Sequence, residues 1–175
     1  MRVGNTQPDV LMMGKDERGY FIQALGSIRA PLCFPLRESL LSRLEESSSI
    51  PAVFVDLSQC RYMDSTFIGL LVAMDKRLQK GAGRRLHILH PSEECLDLLR
   101  QIGLMDYLLI EDLAVAPPDG MAEVSSDNLK PGAEFVLRAH EALMETSEEA
   151  RRKFGLLKEM LERKLKAEKT PRDKT

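Results

Sequence analysis

The chain contains no tryptophan, and only 5% of its 175 residues are aromatic. That disfavours nucleic-acid modules that stack bases on exposed rings. Its cysteines are Cys33, Cys60 and Cys95, widely spaced and without a Cys-x-x-Cys pair. An odd, dispersed set argues against a disulfide framework and against a zinc site, and reads as reduced thiols in or near the core. Neither sign of charge dominates. With 25 Lys and Arg against 27 Asp and Glu, the net charge of −2 marks no general binder of nucleic acid or anionic membrane. No apolar run approaches the roughly 18–20 residues needed to span a bilayer. The first residues carry only a short apolar cluster, Val10-Leu11-Met12-Met13, and do not read as a secretory signal. These absences lead to the expectation of a cytoplasmic protein with no direct membrane insertion.

Catalytic signatures are missing as well. There is no Gly-x-Ser-x-Gly elbow, no His-Glu-x-x-His, no dinucleotide fingerprint and no phosphate loop around Gly81 and Gly83. His87 and His90 lie three apart in an extended segment, so they point to opposite faces and share a metal poorly. Asp56, with Asp64 and Ser65 nearby, could be drawn as an acidic phosphotransfer pocket. Asp56 reads better as a partner for the loop backbone before the next helix. The expectation is therefore a non-enzyme with no catalytic residue, no metal and no cofactor.

What is present is an alternation of strands and helices. Hydrophobic residues at 43% and charged residues at 30% suit an ordinary globular protein, and the length allows one domain plus an extension. Val10 to Met13 and Tyr20 to Gly26 read as a hairpin. A helix over 34–47 is predicted from Pro35 in its first turn and Leu36, Leu40, Leu41 and Leu44 at helical spacing. Ala52 to Leu57 is a β-branched apolar run, expected to be a strand covered on both faces. A helix follows from about Asp64 to the glycines at 81 and 83, with Ile68, Leu71, Asp75 and Leu78 on one face. Arg85 to Leu89 is a strand, Pro91 to Ile102 a helix with an acidic first turn, and Tyr107 to Ile110 a last strand. Crossovers of this length demand a mostly parallel sheet. The fold class is α/β, with a sheet of four or five strands covered by helices.

The stretch from Pro51 to Leu78 organises the rest. Asp64 is a good N-cap, since its carboxylate can accept amide hydrogens of the first turn. Ser65 then stands at a helix N-terminus, expected at the surface. A phosphate there would meet the positive end of the helix dipole and add roughly −1.5 to −2 charges. A simple helix cap would leave the same pattern.

Val53-Phe54-Val55-Asp56-Leu57-Ser58, followed by Met63-Asp64-Ser65-Thr66-Phe67-Ile68-Gly69, resembles the core of the STAS domain family. That family includes anti-sigma factor antagonists and cytoplasmic domains of sulphate transporters. The resemblance covers about residues 20–110. It implies a STAS-like sheet and a protein-binding module regulating transcription through an anti-sigma factor Ser/Thr kinase. In the antagonist branch the phosphorylated serine follows the Asp, which by position is Ser65, with Thr66 a weaker candidate. Ser27 and Arg29 lie in a segment that resembles the family's approach to this turn. With Asp64, Ser65, Thr66 and Phe67 they form the expected partner-binding set. Phe67 departs from the family, which usually has glycine there. A second possibility keeps the fold without phosphorylation, as a scaffold subunit of a signalling or membrane-transport assembly.

Beyond the domain the composition changes. The expected organisation is a flexible lead over 1–9, the domain over 10–112, a linker over 113–131, a two-helix extension over 132–169 and a disordered tail over 170–175. Phe135, Val136, Ala139 and Leu143 mark the first extension helix. Phe154, Leu157, Leu161 and Leu165 form a stripe on the second, with Ser147 as its cap. That stripe can pack on its own domain, cover the Ser65 face, or support a homo-oligomer.

Overall fold

Strong β-formers alternate with amphipathic helices, and the computed structural model assembles them around one six-stranded sheet. It describes residues 7–46, 49, 51–125 and 130–170. Most of the lead, the predicted last residue of the first helix at 47, part of the linker and most of the tail lie outside these residues.

The first two strands, β1 (Val10–Asp16) and β2 (Gly19–Ile28), form the expected antiparallel hairpin. Then follow α1 (Ala30–Glu46), β3 (Ala52–Met63), α2 (Ser65–Ala82), β4 (Leu86–Leu89), α3 (Glu93–Gln101) and β5 (Leu109–Glu111). A two-residue strand, β6 (Ala122–Glu123), precedes α4 (Ala133–Met144) and α5 (Glu148–Lys169). The order across the sheet is β5-β4-β3-β2-β1-β6. Strands β2 to β5 are parallel, as crossover helices require. Six strands replace the expected four or five, because part of the predicted linker pairs with the free edge of β1.

Two boundaries and one burial pattern differ from the sequence reading. Helix α1 begins at Ala30, so Pro35 lies inside it and Pro31 takes the first turn. Strand β3 continues through the residues read as a loop, with register shifts against β2 between Gln23 and Leu25 and between Gly26 and Ser27. Such bulges bend a strand and re-aim its end. Gly26, at φ 74°, supplies the left-handed backbone beside the second shift. Finally, β3 is dry on one face only. Val53, Val55 and Leu57 are fully buried, whereas Phe54 and Asp56 are half-buried.

The buried face of the sheet packs against α1 and α2, where Leu36, Leu40, Phe67, Leu71 and Leu78 join Ile22, Val55 and Ile88 in one core. All three cysteines are buried there. On the other face His87 stacks on Phe54 at 5.0 Å and meets Glu111. His90 lies past the end of β4 at φ 47° and bonds the Leu113 carbonyl at 2.8 Å. The segment after β5 returns over β1, with Pro118 and Met121 above Gly14 and Ala116 accepting from Arg18.

Asp75, predicted simply to share a helical face with three apolar residues, is fully buried. Its carboxylate accepts from Leu86 N at 2.8 Å, Gln79 Nε2 at 2.8 Å and Arg85 Nε at 3.0 Å. Arg85 reaches on to the Tyr107 carbonyl at 2.6 Å. A buried charge so fully bonded ties α2 to β4 and to the turn before β5. Helix α4 is laid on α2 and α5 packs back along α4, and Phe135, Leu143, Ala150 and Phe154 belong to the main core. The extension therefore packs on its own domain.

Candidate functional site

The corner predicted from the sequence is assembled where β2 and β3 both end. Ser27 pairs with Tyr62 and Ile28 with Met63, and Asp64 N donates to the Ile28 carbonyl at 3.0 Å. This brings the Ser27–Arg29 segment beside the start of α2, as expected. Asp64 caps α2 by accepting from Phe67 N at 2.9 Å. Its second oxygen accepts from Ala30 N at 2.8 Å, at the start of α1. One carboxylate thus satisfies orphan amides of two helices. Its charge acts on Cys33 as well. Burial, and then the negative Asp64, raise the Cys33 thiol far above its ordinary value. It stays protonated and donates to the Arg29 carbonyl at 3.3 Å.

Ser65 is the first residue of α2, but it does not lie open at the surface as expected. It is half-buried, and its Oγ stands 2.8 Å from His140 Nε2 on α4. His140 is 1% exposed. Its Nδ1 is 2.7 Å from the Val136 carbonyl, which can only accept, so Nδ1 carries hydrogen. In the neutral ring Nε2 is then the acceptor, and the Ser65 hydroxyl donates to it. Phe154 packs edge-on to the imidazole, with ring centroids 5.1 Å apart.

The helices carrying these side chains nearly touch. A Cβ placed on Gly69 would fall 2.3 Å from the Ala139 carbonyl oxygen. Only glycine permits this crossing, which sets His140 over Ser65. Lys76 on α2 reaches Glu145 and, at 3.4 Å, the Ala142 carbonyl. The α4–α5 turn is fixed by Ser147, which accepts from Ala150 N and donates to the Ile102 carbonyl at 2.7 Å.

The remaining predicted residues divide by exposure. Arg29 is exposed, with its guanidinium 4.8 Å from the ring centre of Tyr62, itself 39% exposed. Ser27 is half-buried, and its amide donates to Asp9 at 2.7 Å. Thr66 is 4% exposed and Phe67 is fully buried. Contact of either with a partner is closed in this arrangement, contrary to their place in the expected binding set. Phe67, the departure from the family pattern, fills the core instead.

Ser65 and His140 resemble a nucleophile and its base in spacing. A cavity of about 220 Å³ lies between α1, α2 and α4, and neither side chain lines it. Among the described residues no cluster of His, Cys, Asp and Glu could hold a metal ion, and no helix is long and apolar enough to cross a membrane.

A family model described as "Mlab, STAS domain" matches residues 14–111. The chain belongs to the STAS domain family. A solved structure titled as the anti-sigma factor antagonist SpoIIAA in its unphosphorylated form is similar in fold, at 17% identity and a TM-score of 0.51. The likeness covers 58% of this chain and 87% of that one. No curated protein matches the sequence. The STAS match ends before β6, so α4, and His140 with it, lie outside the family domain. One signal for His140 was available. It follows Val136 by four residues and precedes Leu143 by three, on the apolar face of a helix.

Proposed function

We propose that this STAS protein is a protein-binding regulatory module controlled at Ser65, in the manner of an anti-sigma factor antagonist acting through a partner kinase. The observation that carries this reading is the position of Ser65. It is the first residue of a helix whose cap, Asp64, leaves the serine hydroxyl for other partners. A phosphoryl group there gains from the helix dipole while changing the charge of the surrounding face. Exposed Arg29 and Tyr62 beside it provide the rim of a docking surface. Phosphosite mass spectrometry on protein from its native cells, with Ser65→Ala as control, tests the modification. The expected result is phosphate on Ser65, with Ser65→Ala retained by the recovered partner and Ser65→Asp released. Equal retention of both variants would remove the switch.

A second reading has its own support. The Ser65 hydroxyl is already committed to His140 beneath α4. A STAS scaffold subunit without phosphorylation, in a signalling or membrane-transport assembly, would retain that bond permanently. Absence of the phosphate across growth and stress conditions is the result this reading expects.

A further inference from the structure

We propose that α4, backed by α5, is a displaceable cover, occupying within the chain the α2 face that a partner's helix takes when it docks. This rests on the reading of the Ser65 corner as a docking site. Three observations carry it. The cover lies outside the matched family domain, which takes in α1 to α3 and β2 to β5. It occupies α2 as one protein helix occupies another, through a glycine crossing at Gly69 and a side-chain hydrogen bond to Ser65. And its seam with α1 is not filled. The cavity there is floored by Leu70, Met74 and Phe135 and rimmed by Arg37, Arg77 and Arg138. It opens to solvent between three solvent-accessible arginines, an apolar-floored groove beside the crossing that a larger helix side chain can enter.

The same residues describe the partner. It presents a helix with a small residue where it crosses Gly69, and a hydrogen-bonding side chain one position further on, as Ala139 and His140 do here. Bulkier apolar groups fill the cavity, and acidic residues on its flank meet Arg37 and Arg77. Those two arginines now bond exposed Glu38 and Glu45, pairs that exchange at little cost. Because the cover is tethered, it holds the face at high effective concentration and yields only to a better-matched helix or to its own opening.

The test uses the full chain with Ser65→Cys, since the native thiols are buried. Maleimide labelling of position 65 then reports opening. Adding Gly69→Ala forces a Cβ into the Ala139 backbone and is expected to raise the labelling rate at least about tenfold, as a population shift toward the open state predicts. Hydrogen exchange should show α4 losing protection while β3 keeps it. His140→Ala in place of Gly69→Ala removes the imidazole facing position 65 without a clash and should raise the rate by a smaller factor, read at a pH high enough that the thiol ionises without a neighbouring base. In that His140→Ala background, a synthetic peptide of residues 132–146 at millimolar concentration should slow labelling again by covering the face in trans. Labelling that ignores both substitutions overturns the cover. A peptide without effect overturns helix docking on this face. Gated labelling with no phosphate ever found on Ser65 removes the switch and leaves the cover standing. Ungated labelling removes the cover whatever happens to Ser65.

Discussion

Asp64 is the residue on which two helices begin. Its two oxygens accept from Phe67 N and Ala30 N, so its loss leaves an unsatisfied amide at the start of both α2 and α1. Each lost cap costs about 1 kcal/mol. Asp64→Ala is therefore expected to lower the unfolding free energy by about 2 kcal/mol, read from the shift in urea midpoint. Asp64→Asn, which keeps one good acceptor oxygen, should lose about half as much. Much of this corner was legible residue by residue. The cap, the serine after it and the neighbouring Ser27–Arg29 segment are local patterns or family positions. The acceptor of the Ser65 hydroxyl was not. His140 lies 75 residues away, and no local rule connects a histidine on one amphipathic helix to the first turn of another. Asp75 was missed for a related reason. A carboxylate on an apolar face reads as a flaw in the pattern until Leu86 N and Arg85 are seen to meet it.

Among the elements, the helices with clear stop and start chemistry were read well. The C-cap of α2 is Gly83 at φ 62°, and Ser92 and Ser147 cap α3 and α5. Strand ends were read poorly where tertiary pairing overrode composition. The second half of β3 contains Ser58, Gln59 and Arg61, polar residues that resemble a loop, yet bulged pairing with β2 keeps it extended. Helix α5 offers a test at this scale. Gly155 lies inside it with open space around its Cβ position. Gly155→Ala relieves backbone entropy without a clash and is expected to stabilise α5 by about 0.5–1 kcal/mol. Hydrogen exchange at residues 156–165 should slow in the variant, and unchanged exchange would mean that α5 opens before this propensity counts.

For the molecule as a whole, the alternation of strands and helices was enough to establish a mostly parallel α/β domain, because crossover geometry leaves few other outcomes. Where the extension sits was beyond that logic, since an apolar stripe is compatible with its own domain, a partner or a second copy. Phe154 and Leu157 turn inward, which leaves Leu156 at 70% and Met160 at 58% exposure as the large apolar side chains open on α5. Two side chains fall well short of the roughly 800 Å² per partner that a stable interface buries. Light scattering at micromolar concentration is thus expected to give the mass of one chain, unchanged by Leu156→Glu with Met160→Glu. A doubled mass that this double substitution abolishes would instead establish a homo-oligomer through the C-terminal helices.

The short strand β6 bears on a different property of the molecule, its resistance to fibre-like growth. Parallel sheets leave two edges, and an unguarded edge is a template for a neighbouring chain's backbone. Here the outermost strands are only three and two residues long, and the long hairpin strand β1 is shielded behind the shorter of them. Displacing β6 would free the Leu11–Met13 backbone of β1, the stretch where a neighbouring chain's strand could then pair.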